Sequence, residues 1–214
     1  MPEPPPAALA HVDPAAVAAV LFDMDGTLID STAAVERAWT RVALRHGLDV
    51  ADVLSGIHGI PAAVSLRRLL PDADEAALAA EVADHEDFEI HDLDGVVALP
   101  GAAELLAFLD ERRTPWAVVT SAMPELARAR LGAAGITPPI LVTPRDVPRG
   151  KPAPDGFVEG ARRCGVRPER CLAVEDSPGG LAAARASGAV VVDVGPGGTT
   201  LPALLARLRA PRRP

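Results

Sequence analysis

Five short apolar runs punctuate the chain, and between them apolar residues recur at helical spacing. The runs are VAAVLFD (Val17–Asp23), WAVVT (Trp116–Thr120), ILVT (Ile140–Thr143), CLAVED (Cys171–Asp176) and AVVVDV (Ala189–Val194). None alternates cleanly between apolar and polar, as a strand with one wet face would. Continuous runs of this kind predict strands covered on both faces. Helices are predicted over Gly101–Arg112, Pro124–Ala133, Asp155–Cys164, Pro178–Ser187 and Leu201–Arg209. Strand and helix in alternation imply a parallel sheet with helices on both sides, a Rossmann-like α/β core. Such sheets take ligands outside the carboxyl ends of their strands, so the residues that end each run gain interest.

One segment breaks the rhythm. From 32 to 99 the pattern is helical, and no strand is predicted there. In Thr32–Arg45, Val35, Ala38, Trp39 and Val42 form one apolar stripe at 3.6-residue spacing. A second helix is predicted to start near Pro61 and to carry Val64, Leu66, Leu69 and Leu70, and a third to span Asp74 to Ile90. The expected organisation is a disordered lead-in over 1–16, an α/β core over 17–31 and 100–210, and an inserted all-helical cap subdomain over 32–99. Pro100-Gly101 would return the chain to the core.

Composition narrows the picture. With 49% hydrophobic and 23% charged residues the chain reads as an ordinary soluble globular protein. A formal net charge of −8 argues against a broad nucleic-acid surface. It leaves room for an anionic substrate at a locally positive site. No apolar stretch reaches the ~18 residues of a membrane span. The opening MPEPPPAALAHVDP lacks a positive n-region and is broken by prolines, so it makes a poor signal peptide. Cys164 and Cys171 are expected as free thiols in a reducing compartment, which suits a cytoplasmic chain. A monomer or weak homodimer is expected.

The chemistry lies at the strand ends. The first run ends in Asp23, with Asp25 two residues on and Gly26-Thr27 after it; the second ends in Thr120-Ser121; the fourth in Glu175-Asp176, followed by Ser177 and a glycine pair. In a parallel sheet these ends meet on one edge. A helix cap explains one Asp there, but not three or four carboxylates together. Unpaired buried carboxylates repel, so the cluster asks for a cation, and hard oxygen ligands favour Mg²⁺. Lys151, the sole lysine, sits between Gly150 and Pro152 in a stiff loop. A solvated surface position is the ordinary fate of a lysine; an ammonium facing a carboxylate–Mg²⁺ cluster makes sense if an anion such as phosphate sits between them.

Taken together these residues resemble the haloacid dehalogenase superfamily over most of the chain, from about Val17 to Val194. DMDGT (Asp23–Thr27), VVTS (Val118–Ser121), KPAPD (Lys151–Asp155) and EDSPGG (Glu175–Gly180) are similar to its four motifs, in order, and the helical insert after the first resembles its C1 type of cap. The resemblance implies that Asp23 is the nucleophile and Asp25 the general acid, then base. It implies that Mg²⁺ is held by the Asp23 carboxylate, the Asp25 carbonyl and Asp176, with Glu175 as neighbour or water-mediated ligand. Thr120, the Ser121 backbone and Lys151 would bind the transferring phosphoryl group.

Asp25 favours phosphoryl chemistry, since the superfamily's dehalogenases lack an acid there. Its mutases carry a cap histidine where Val35 stands, and its phosphonatases a cap lysine, which the insert lacks. The expected partner is thus a small-molecule phosphate ester, and the expected activity that of a sugar- or polyol-phosphate phosphatase working through an aspartyl-phosphate. A β-phosphoglucomutase-like phosphotransferase and a catalytically silent binding module on the same fold are the alternatives. In the cap, DSTAAVERAW and HGIPAAVSL resemble phosphatase sequences, though Ile60, Pro61, Val64 and Ser65 depart from them. His58 and Glu36 are the candidate substrate residues; a packing histidine and an exposed helix charge are the plainer readings. Arg67 and Arg68 read as a solvated face, and His46, His85 and His91 as surface residues.

Overall fold

The computed structural model describes residues 9–57 and 60–210. Its core sheet has five parallel strands: β1 (Ala19–Phe22), β4 (Trp116–Val119), β5 (Leu141–Val142), β6 (Cys171–Glu175) and β7 (Val190–Asp193), in the order β5-β4-β1-β6-β7. β1 is central, in register with Trp116–Val118 on one side and Cys171–Val174 on the other. The chain first builds outward through β4 and β5, then returns across β1 to add β6 and β7. β1 is thus the point at which strand order reverses, where an open α/β sheet forms its crevice.

The unalternating runs are explained by the two covered faces. Val20, Phe22, Trp116, Val118, Leu172 and Val174 pack with helices α5 (Ala102–Glu111), α6 (Pro124–Ala133) and α9 (Leu201–Arg209). Ala19, Leu21, Ala117, Val119 and Ala173 face the other way, onto α7 (Asp155–Arg163) and α8 (Pro178–Ser187). Alanine and glycine dominate that second layer, and Gly160 brings α7 close: a Cβ there would stand 3.0 Å from Val119 Cγ2.

The insert forms α1 (Thr32–His46), α2 (Val50–Leu54), α3 (Ala62–Leu69) and α4 (Glu75–His91). These helices share their own apolar cluster around Trp39, Val42, Val53, Ile57, Leu66 and Leu78. A two-stranded antiparallel ribbon, β2 (Ile29–Asp30) with β3 (Val97–Ala98), joins the two passages between core and cap.

Several expectations need correction. The segment 9–16 is packed rather than loose: Leu9 and Val12 are fully buried in the main core, and Arg207 Nε donates to the Leu9 carbonyl at 3.3 Å. An apolar pair spaced by one turn is enough to anchor it. Val64 is 58% exposed, so α3 buries Ser65 and Leu66 instead. His85 is buried, at 1% exposure. It shares a stripe of α4 with Leu78 and Glu89, and its ring lies 4.4 Å from that of Trp39 on α1. Arg67 and Arg68 bind within the cap, to the carbonyls of Ala73 and Gly56.

Candidate active site

β1 delivers Asp23 one residue past its last paired position, with its N–H donating to the Val174 carbonyl of β6 at 2.9 Å. The chain then turns at once. The N–H groups of Thr27, Leu28 and Ile29 all donate to the Met24 carbonyl, and Gly26 has a φ of +79°. β6 ends in Glu175, which is fully buried, and Asp176 follows it. Glu175 Oε2 is fixed by the N–H groups of Asp176 and Ser177, each at 2.7 Å. Gly180, on the first turn of α8, leaves room for that carboxylate; a Cβ there would overlap it. Thr27 Oγ1 donates to Asp176 Oδ1 at 3.0 Å, joining the turn after β1 to the end of β6.

Ligand atoms of Asp23, Glu175 and Asp176 lie within 4.8 Å of one another. Lys151 reaches in from the loop before α7, donates to Asp23 Oδ1 and to Glu175 Oε1 (2.6 Å for the latter), and rests 5.3 Å over the Phe157 ring. Burial works against its charge, but Asp23 and Glu175 hold the ammonium above the ordinary lysine range. Burial pushes Asp23 up to about 8 against the pull of Lys151, with Glu175 adding to the rise. Burial, then Glu175, push Asp176 up to about 6. Three crowded carboxylates therefore share a single ammonium, and the site is short of positive charge. The donors are all carboxylate oxygens, which fits a hard divalent cation such as Mg²⁺.

Thr120 lies at the end of neighbouring β4, buried, and its Oγ1 accepts from the Ala122 N–H at 3.0 Å; Ser121 beside it is exposed. Asp25 is placed differently from the three acids. β1 ends at Phe22, so Asp23 and Asp25 are set by the turn rather than by strand alternation. The Asp25 carboxylate accepts from Ser31 Oγ at 2.6 Å and from Arg130 Nη1 at 3.2 Å. Glu36 is exposed on α1. His58 lies outside the described residues. Sequence reasoning missed Arg130 and Ser31 and gave Ser177 no role. Ser177 directly follows the motif carboxylates and donates to Glu175 Oε2 at 3.1 Å, which was readable; Ser31 meets Asp25 from six residues away, and nothing local marks Arg130.

Comparison with known proteins agrees with this geometry. Residues 17–188 match the family model described as haloacid dehalogenase-like hydrolase. Hexitol phosphatase A of Escherichia coli (strain K12) is 46% identical over 175 residues, covering 81% of this chain and 81% of that protein. 2-deoxyglucose-6-phosphate phosphatase 1 of Saccharomyces cerevisiae (strain ATCC 204508 / S288c) is 33% identical over 193 residues, covering 81% and 78%. A hydrolase from Pseudomonas syringae of known structure superposes with a TM-score of 0.72 at 28% identity, over 90% of each chain. With its acidic cluster at the sheet's switch point and relatives this close, the chain belongs to the haloacid dehalogenase-like hydrolases, and its enzyme class is that of the phosphoric monoester hydrolases.

Proposed function

We propose that the protein is a Mg²⁺-dependent phosphatase of small phosphorylated sugars or polyols, acting through an aspartyl-phosphate on Asp23. The observation that carries this reading is the convergence of Asp23, Lys151, Glu175 and Asp176 from separate strand ends and loops. The substrate class follows the relatives, whose names specify hexitol and 2-deoxyglucose-6-phosphate phosphatases. Asp23, the Asp25 carbonyl and Asp176 would hold Mg²⁺, with Glu175 behind them. When bound, the ion offsets the negative charge of nucleophile and phosphate so that the two can approach.

The chain's own groups then divide the work. Lys151 and the Thr120–Ser121 turn hold the phosphoryl oxygens. An Asp23 oxygen forms a bond to phosphorus as the ester P–O bond breaks, and Asp25 gives a proton to the departing alkoxide. Asp25 then takes a proton from water, which attacks phosphorus, releases phosphate and restores Asp23. The cap helices over the strand ends exclude bulk water, and Glu36 and His58 stand as candidate contacts to the leaving group.

Asp23→Asn should abolish hydrolysis of both a sugar phosphate and p-nitrophenyl phosphate while the variant still folds with a cooperative melting transition, since Lys151 keeps Glu175 as a partner. EDTA should stop the wild-type enzyme and Mg²⁺ restore it. Undiminished turnover by the Asn variant would reject Asp23 as nucleophile, and turnover indifferent to EDTA would reject the metal.

A further inference from the structure

Arg130 on α6 is 5% exposed, and its guanidinium spans two parts of the molecule. Nη1 donates to Asp25 Oδ1 at 3.2 Å, in the core. Nη2 donates at 2.7 Å to Oε1 of Glu89, which lies on the cap helix α4 and is 8% exposed. α4 and α6 pack directly against each other, so this ion pair is part of the core–cap contact. Beside it His85 and Trp39 form the buried flank of the cap. Burying a guanidinium against the buried Glu89, with Asp25 partly exposed beside it, is an expensive way to hold two helices together; apolar side chains of similar volume often do so at no loss of stability. What the charged arrangement adds is direction. Ser31 Oγ and Arg130 Nη1 both meet the same oxygen, Oδ1, of Asp25, which fixes the rotation of that carboxylate.

We propose that Arg130 is a positioning residue for proton transfer: anchored by Glu89 of the cap, it sets the orientation of the Asp25 carboxylate and so makes leaving-group protonation depend on the α4–α6 contact. The inference rests on the reading of Asp25 as the acid–base group. It predicts a defect selective for esters whose leaving group needs a proton. An alkoxide from a sugar phosphate needs one; p-nitrophenolate leaves without it.

The test compares kcat/KM of wild type, Arg130→Gln, Glu89→Gln and Asp25→Asn on a hexitol phosphate and on p-nitrophenyl phosphate, with melting curves for each. Arg130→Gln should lose about tenfold or more on the hexitol phosphate, within the range of general acid catalysis, mostly in kcat, and little on p-nitrophenyl phosphate. Glu89→Gln, a near-isostere that also serves if Arg130→Gln fails to fold, should shift the same ratio in the same direction by less. In the Asp25→Asn background the Arg130 substitution should cost nothing further on the hexitol phosphate, because both act at one step. Equal losses on the two esters, no loss in a folded variant, or full additivity with Asp25→Asn would overturn the proposal. A wild-type enzyme that hydrolyses neither ester would instead overturn the phosphatase reading itself.

Discussion

Gly26 occupies a position where both backbone and neighbour exclude a side chain. Its φ is +79°, and a Cβ would overlap the Asp176 carboxylate. Gly47, the C-cap of α1, has a similar φ of +64° with nothing within 4 Å of a built Cβ. Alanine at either position costs roughly 1–2 kcal/mol of backbone strain. Only Gly26→Ala should also displace Asp176 and, through it, Thr27. Gly26→Ala is expected to lower kcat by tenfold or more, about the effect of disturbing one positioned catalytic group, and Gly47→Ala to leave kcat unchanged at a similarly lowered melting temperature. The acids and Lys151 were legible in the sequence because each ends an apolar run or sits in a Pro/Gly-braced loop. Arg130 and Glu89 were not. They are single charges within ELARAR and HEDFE, helical segments rich in charge, and only the meeting of α6 with α4 sets them apart.

At the scale of elements, α4 carries a buried histidine. Burial, with Arg130 nearby, pushes His85 down from 6.5 to about 4, and its Nε2 stands 3.4 Å from Glu89 Oε2 without a hydrogen bond. A folded-state value below the unfolded one means that the unfolded chain binds the extra proton. The associated stability is complete above about 6.5 and is lost as pH falls toward about 4. The wild-type minus His85→Leu difference in melting temperature should fall as pH drops over that interval, while the raised Asp23, Glu89 and Asp176 carboxyls act in the opposite sense in both proteins; a flat difference would contradict it. The histidine was misread because the residues flanking it in sequence are acidic, while the stripe it belongs to, Leu78–His85–Glu89, is sparse. Helices α6, α8 and α9 begin and end as their patterns predict, each with proline in its first turn. α2 was invisible because its five residues are too few for a period; Asp49 caps it by accepting from the Asp52 N–H at 3.0 Å. The β2–β3 ribbon has two residues per strand and is defined only by long-range pairing, which leaves no local trace.

Across the whole molecule, the Rossmann-like core and the helical cap were both readable, since each has its own period of apolar residues and, in the structure, its own cluster. How α4 meets α6 was not, because the side-chain bond between them is made by charges: Arg130 with Glu89, beside the residue proposed for proton transfer. The sheet's strand order brings β1, β4 and β6 side by side, which is why motifs far apart in sequence arrive at one edge. Among the described residues no helix is long and apolar enough to cross a membrane. The proposed hydrolysis requires a covalent bond between Asp23 and phosphorus. Enzyme turning over a hexitol phosphate with Mg²⁺ is quenched in acid, reduced with borohydride and mapped by peptide mass spectrometry, which converts an aspartyl-phosphate to homoserine. Homoserine at position 23, dependent on substrate and absent from Asp23→Asn, is the predicted result; full turnover with Asp23 unmodified in every quench would contradict it.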